Sequence, residues 1–496
     1  MKKIYKLLMI GLIIGTLPLC AREIPSKITT RMEKPRYQHS LWGLYVKNSA
    51  TGEVIYDLNS EKMMLPASTT KMFSVAALLS AYGPDYRFTT PLYAIGDLSN
   101  GHFSGQLVLV GQGDWIFGGR DLGDDQIEFT NRDHIIANSI PGVTLTTADP
   151  LKGIQSLVLQ LRQKGIREIS GDVQIDDSLF ETVNKRGMIL SPIMLNENLI
   201  DISLKGTTDG QPASLSWRPQ VEGFTVKNEV VTGSKLDVEV TSDVTGQHLI
   251  VKGIVPQSQT PIIRTFSVKD PKEFVRQALI QEIRRQGIIF NLKKGSAISS
   301  PSGDPIASLT SAPLAEYAKL ILKVSHNLGA DLIPLLLAAK NKQKTFDEGM
   351  LLLGQYVVDK TRVPANAFVF IDGAGGDENR VTPNAEVLLL ESQIHNKAFY
   401  AGLPILGIDG SLADSAKETS AVGKVRAKTG TGVSYNLSSG KFFSTTHTLA
   451  GYVEGKHGQL LEFMVGVNNA ESPTIESLFP IAEDLAQIAA EIYEES

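Results

Sequence analysis

Cysteine is almost missing from this chain: one residue, Cys20, in 496. No disulfide framework can hold the fold together, and no thiolate cluster can bind a metal. Histidine is sparse as well. The eight are scattered, and none forms His-Glu-x-x-His or another paired ligand spacing, so the sequence supports no metal site and implies no cofactor. There is no basic excess either. The formal net charge is −5, which argues against a broad positive surface for nucleic acid. A clear membrane span is also lacking, because the apolar run Leu7–Leu17 is too short.

The N-terminus, "MKKIYKLLMIGLIIGTLPLCARE", reads instead as a secretory signal over residues 1–21. Lys2, Lys3 and Lys6 precede the apolar run, and small residues follow near Ala21. An uncleaved anchor and a lipid-modified Cys20 are the alternatives, and Leu19 stands where a lipoprotein site wants a small residue. Export without disulfides suits a bacterial envelope enzyme with a core large enough to need no staples. Hydrophobic residues make up 42% and charged residues 20%, an ordinary globular balance, and the length argues for two or three domains.

Apolar patterning predicts the elements. Residues 40–68 read as a hairpin turning at Asn48–Gly52, and the run after Lys71 as a helix ending before Gly83-Pro84. A near-repeat follows: "DPLKGIQSLVLQLRQKGI" from Asp149 and "DPKEFVRQALIQEIRRQGI" from Asp270. Each opens with Asp-Pro, keeps helical periodicity and stops at Gly-Ile. Between them, "FTVKNEVVTG", "KLDVEVTSD" and "HLIVKGIVP" look like β-hairpins. "SAPLAEYAKLILKV" is an amphipathic helix with Ser311 as its expected cap. Three strands, "KVRAKTG", "HTLAGYVEG" and "LLEFMVGVN", precede a C-terminal helix with apolar residues at 475, 478, 481, 485, 488 and 492.

Three short motifs carry chemistry only in combination. Ser68-x-x-Lys71 alone is weak, since roughly two chance matches are expected in a chain this long. Ser438 with Lys441, and Ser434 with Asn436, are visible decoys. As a helix cap, Ser68 would want Glu or Gln three residues later. It has Lys71, at the positive end of the helix dipole, where a cation is disfavoured and a neutral amine is easier to reach. One helical turn puts both residues on one face. Ser325-His326-Asn327 falls between two apolar helical runs, and Lys428-Thr429-Gly430 at a strand end; read singly, they are a cap and a turn.

The order Ser-x-x-Lys, Ser-x-Asn, Lys-Thr-Gly resembles the serine penicillin-binding proteins and β-lactamases. Ser68 and Ser325 lie 257 positions apart, and Ser325 and Lys428 lie 103 apart. The long first gap is similar to D-alanyl-D-alanine carboxypeptidase/endopeptidases of the penicillin-binding protein 4 type, as are "SGDVQIDDSLF", "DGAGGDENRVTP", "LPILGIDGSL" and "TLAGYV". The resemblance implies an α/β (α+β) fold: a transpeptidase-like antiparallel sheet covered by helices, with two inserted smaller domains. The expected division is residues 22–92 with 298–496 for the catalytic domain, 93–173 with 266–297 for an inserted α/β domain, and 174–265 for a nested β-rich domain. Two departures stand out. Asp372-Gly-Ala374-Gly-Gly-Asp377 replaces the usual Asp-Gly-Ser-Gly-Leu-Ser, and the segment after Lys-Thr-Gly is long enough to remodel the site rim.

The resemblance further implies attack by Ser68 on the D-Ala-D-Ala terminus, or the D-Ala–diaminopimelate cross-link, of peptidoglycan stem peptides in the periplasm, with β-lactams as acylating inhibitors. Lys71 would be the base, Ser325 the proton relay with Lys428 nearby, and Asn327 would position the substrate amide. The backbone amides of Ser68 and Thr431 would form the oxyanion hole. Lys428, Thr429 and Thr431, beside Gly430, would receive the terminal carboxylate. Asp176 is the candidate for a diaminopimelate amine, with a turn aspartate as its alternative, and Arg380 the candidate for a distal carboxylate. A serine β-lactamase and a non-catalytic β-lactam sensor or peptidoglycan scaffold are the competing functions. Peripheral membrane association and oligomeric state stay open.

Overall fold

A computed structural model describes residues 21–293, 301 and 303–496; residues 1–20 of the expected signal segment, Cys20 among them, lie outside these. The described residues begin with helix α1 (Ser26–Met32), then strands β1 (Leu41–Asn48) and β2 (Val54–Leu58), the expected hairpin. Three C-terminal strands complete a five-stranded antiparallel sheet in the order Val54–Leu58, Leu41–Asn48, Leu460–Glu471, Lys441–Glu454, Val425–Asn436. The chain's two ends therefore build one sheet, and Val425–Asn436 is its edge.

Strand alternation sends successive side chains to opposite faces, and both faces are covered. Trp42, Leu44, Val46, Leu449, Val453, Leu461, Phe463 and Val465 pack with Ile481, Leu485, Ile488 and Ile492 of the C-terminal helix Leu478–Glu494. Tyr45, Ala450, Tyr452 and Met464 face the other way, into a core with helix α2 (Thr70–Tyr82) and the helices Leu314–Val324, Asn327–Lys340 and Pro383–Gln393. Helix α2 is buried at ten of its residues. It runs through that core as its central post, which explains why its sequence is apolar nearly all round.

A second five-stranded sheet has the order Ile289–Leu292, Glu168–Asp176, His102–Val110, Thr89–Ser99, Ala307–Thr310. Its three strands His102–Val110, Glu168–Asp176 and Ile289–Leu292 run parallel. The near-repeat helices, Lys152–Gln163 and Pro271–Arg285, are the crossovers between them, and both stop at left-handed glycines, Gly165 and Gly287. The Asp270 side chain accepts the Glu273 amide and caps its helix; the first copy begins two residues later, with Leu151 at the cap position.

The nested strands depart from the hairpin expectation. Thr225–Thr232 lies parallel to His248–Val255, which also pairs antiparallel with Asp237–Ser242. His248–Val255 carries the buried Leu249, Val251 and Val255 and so takes the middle position, leaving the more polar strands as edges. Ser311 is not the expected cap either. Pro313 holds that place, while Ser311 Oγ accepts the Phe88 amide at 3.0 Å and donates to the Ala312 carbonyl at 2.7 Å. The long segment after Lys428 is a continuation of the sheet, with Val425–Asn436 and Lys441–Glu454 running on as a hairpin beyond a register shift at Gly432/Val433. The decoys Ser434, Asn436, Ser438 and Lys441 all sit exposed on it.

Among the described residues no helix is long and apolar enough to cross a membrane. The cap on Pro271–Arg285 gives a direct check of this architecture. Asp270→Ala should lower unfolding free energy by about 1 kcal/mol, read as a shift in urea midpoint at unchanged slope. An unshifted midpoint would show that the cap adds nothing.

Candidate active site

The turn before helix α2 places Ser68. Residues Ala67–Thr69 form a short 3-10 turn, and Ala67 has φ +45°, a left-handed conformation for a residue with a side chain. Neither this turn nor helix α2 has a side-chain cap, so Ser68 does not serve the capping role its position suggested. Its Oγ instead lies 2.6 Å from Lys71 Nζ. Lys71 is fully buried and also donates to the Ala374 carbonyl at 2.8 Å.

Burial pushes the Lys71 amine down to about 7, helped by the positive charge of Arg186 and opposed by Asp331 and Asp372. A neutral amine offers one lone pair. With Ala374 taking a hydrogen, that lone pair can face the Ser68 hydroxyl.

The altered loop is built around this amine. Asp372 Oδ1 gathers the amides of Ala374, Gly375 and Gly376 at 3.1, 2.7 and 3.0 Å, which turns the Ala374 carbonyl toward Lys71. A side chain on Gly375 would lie 1.8 Å from the Ala67 carbonyl, so glycine is required there by close approach. Arg186, from the turn between the short strands Val183–Lys185 and Met188–Leu190, pairs with Asp331 and, at 2.8 Å, with Asp372. Burial raises Asp331 to about 6, and Arg186 chiefly holds Asp372 below its ordinary range against the effect of burial.

Ser325 ends the helix Leu314–Val324 in a left-handed conformation, φ +61°, and Asn327 starts the next helix. Lys428 Nζ donates to Ser325 Oγ at 3.0 Å and to the Thr429 carbonyl at 2.7 Å. Lys428 is fully buried; burial and the neighbouring Lys71 push its amine well below the usual lysine range.

Gly430 lets the edge strand lie against the Ser68 turn. A Cβ there would stand 2.1 Å from Thr448 Oγ1, 2.4 Å from the Pro66 carbonyl and 3.1 Å from the Ser68 amide nitrogen. Thr448 Oγ1 donates to that Pro66 carbonyl at 2.7 Å, stitching the sheet to the turn. Thr429 Oγ1 meets Ser411 Oγ at 2.7 Å, and Thr431 is exposed. Asp176 ends the strand Glu168–Asp176, and its Oδ1 accepts the Ser178 amide at 2.9 Å, a turn-forming bond. Arg380 donates to the Asp377 and Asn379 carbonyls at 2.6 and 2.7 Å, bracing the altered loop.

Several neighbours escaped sequence reasoning: Arg186, Asp331, Glu386 and Glu197. Glu386 is buried beneath the Ser68 turn, with Oε1 2.6 Å from Thr69 Oγ1, and burial pushes it up to about 8. Thr69 Oγ1 is also 2.9 Å from the Pro66 carbonyl. A hydroxyl has one hydrogen, and a protonated Glu386 supplies the second. None of these residues stands in a recognisable local motif. Asp133, His134 and Glu197 could hold a metal by geometry. The Arg120 guanidinium already binds Asp133 and Glu197, so an ion would have to displace it.

Two serine–lysine pairs thus meet at one sheet edge, a base poised on one hydroxyl and a second pair beside it. This arrangement can transfer an acyl group through Ser68. The chain is 24% identical over 485 residues to a D-alanyl-D-alanine carboxypeptidase of an Actinomadura species, covering 91% of this chain and 81% of the relative. It is 23% identical over 480 residues to D-alanyl-D-alanine carboxypeptidase DacB of Haemophilus influenzae, covering 91% and 90%. Its fold matches the crystal structure of penicillin binding protein 4 from Haemophilus influenzae with a TM-score of 0.73 at 22% identity, over 95% of this chain and 98% of that one. The same protein complexed with a novel β-lactam matches at 0.71. The D-Ala-D-Ala carboxypeptidase 3 (S13) family matches residues 24–487, and the chain belongs to that family of serine peptidases.

Proposed function

We propose that this protein is a serine D-Ala-D-Ala carboxypeptidase and/or D-Ala–diaminopimelate endopeptidase acting on peptidoglycan, working outside the cytoplasm through an acyl-enzyme on Ser68. The observation that carries the reading is the 2.6 Å contact between Ser68 Oγ and a buried Lys71 amine held near neutrality. Lys71 takes the hydroxyl proton as Ser68 attacks the D-alanyl carbonyl. The backbone amides of Ser68 and Thr431 receive the oxyanion, a contribution of about 3–4 kcal/mol per donor.

Ser325, hydrogen-bonded to Lys428, relays to the departing amine the proton that Lys71 took from Ser68, so Lys71 is again neutral and Ser325 again a hydroxyl, and Asn327 orients the substrate amide. The D-alanyl carboxylate enters beside Lys428, Thr429, Gly430 and Thr431. An arriving carboxylate favours the charged form that burial disfavours in Lys428, so substrate binding and Lys428 protonation are linked. Water then releases the acyl group. A β-lactam acylates Ser68 in the same way, as a relative's β-lactam complex suggests.

We keep Asp176 as the contact for a diaminopimelate amine and Arg380 for a distal carboxylate. We also take the chain to divide as its sheets do, into a two-piece catalytic unit, an inserted unit and a nested β-rich unit. The readings as a β-lactamase or a non-catalytic scaffold are the alternatives, and the scaffold has no use for the depressed Lys71.

Incubation with a diaminopimelate pentapeptide should release D-Ala, and Ser68→Ala should reduce release to background; a folded wild type that releases none would favour the scaffold. Rapid turnover of a chromogenic cephalosporin would favour the β-lactamase. Lys71→Ala should slow acylation by fluorescent penicillin about 10²–10⁴-fold.

The active base is the neutral amine, so acylation should rise as pH increases through about 7. Removing the Arg186 charge favours the ammonium. Arg186→Met should therefore move that limb to higher pH, and an unmoved limb would remove Arg186 from this role.

A further inference from the structure

His326, between Ser325 and Asn327, is fully buried and makes two bonds with different jobs. Its Nδ1 accepts the Gly329 amide at 2.9 Å, capping the helix Asn327–Lys340. An accepting Nδ1 carries no proton, so the proton sits on Nε2, which donates to Glu197 Oε2 at 2.9 Å. This tautomer ties the Ser325–Asn327 loop to a residue 129 positions earlier in the chain.

Glu197 lies within an ion network of alternating charge. Arg120 binds it through Nε and, at 2.8 Å, through Nη2, and binds Asp133 at 2.7 and 2.8 Å. His134 Nε2 donates to Glu197 at 2.8 Å and Nδ1 to Asp201 at 2.7 Å. Two carboxylate partners make His134 an imidazolium, raised to about 10 despite burial. Asp201 also accepts from Arg218 at 3.1 Å. Three acids thus face three cations, which compensates charges that would otherwise be costly to bury.

The backbone under Glu197 is held in an unfavourable shape. Asn196, Glu197 and Asn198 have φ of +49°, +55° and +61°, three successive left-handed residues with side chains. Such residues persist where the surroundings over-determine them. The Glu197 amide donates to the Trp115 carbonyl at 3.1 Å, and the Trp115 ring lies against Gly329, at the start of the same helix. Every member of the network except His326 comes from residues 115–218.

We propose that Glu197 is a positioning residue for acyl transfer: through the bond from His326 it holds Ser325 and Asn327 in register with Lys428. The inserted part of the chain then acts as a brace for the second serine motif. The proposal rests on the acyl-transfer reading of the site.

The two bonds of His326 can be separated. Asparagine reproduces the Nδ1 acceptor and keeps the cap; glutamine reproduces the Nε2 donor and keeps the link to Glu197. His326→Asn should keep its melting midpoint near wild type while acylation by fluorescent penicillin slows about tenfold or more, with the apparent penicillin affinity little changed. His326→Gln should melt lower yet acylate within about threefold of wild type, and Glu197→Leu, which removes the acceptor, should slow acylation like His326→Asn. Wild-type acylation by His326→Asn would overturn the proposal, as would equal slowing by Asn and Gln. If the wild type itself fails to acylate, the acyl-transfer reading falls. Amide exchange over 325–329 then decides the brace: faster exchange in Glu197→Leu supports it, and unchanged exchange overturns it.

Discussion

The burial of Lys71 is the constraint on which the rest of this structure depends. An isolated ammonium in a closed core is costly, and the cheaper state is the neutral amine. Asp331 and Asp372 would restore the charge, but Arg186 sits on both and offsets them. What remains is a base near neutrality, 2.6 Å from a hydroxyl. Removing any one of the three neighbours changes the balance, so a residue from the short Val183–Leu190 hairpin region is part of a site whose nucleophile lies more than a hundred positions away.

The fold supplies the rigidity such a site needs. Helix α2 is held on all sides, so Ser68 and Lys71 have little freedom to separate. The sheet edge is pinned to the Ser68 turn through Thr448 and the bare backbone of Gly430. Thr446 adds a bond to the Leu65 carbonyl at 2.8 Å, and the Asn468 side chain accepts the Leu65 amide at 3.0 Å. Sheet, turn and helix thus converge on one residue.

Some of this was legible in the sequence because its physics is local. Ser68 and Lys71 share one helical turn, alternation marked the sheet strands, and the near-repeat from Asp270 forms a helix as read. Ser311 misled because a serine before an apolar run is a cap only if the chain turns there, and here Pro313 holds the cap position. The order of Thr225–Thr232 and His248–Val255 was hidden because hairpin pairing and parallel pairing share one alternating pattern. Arg186, Asp331, Glu386 and Glu197 were invisible for another reason. Each acts through contacts fixed only by the tertiary fold, and a single arginine or glutamate has no pattern of its own. The downward shift of the Lys428 amine was likewise beyond sequence, since it follows from burial and from the approach of Lys71.

The central claim is that Lys71 is a neutral base at physiological pH. The direct measurement is a heteronuclear NMR titration of the Lys71 side chain, assigned by comparison with Lys71→Arg. The account predicts a midpoint of about 7. A midpoint near the ordinary lysine value of about 10.4 would contradict it.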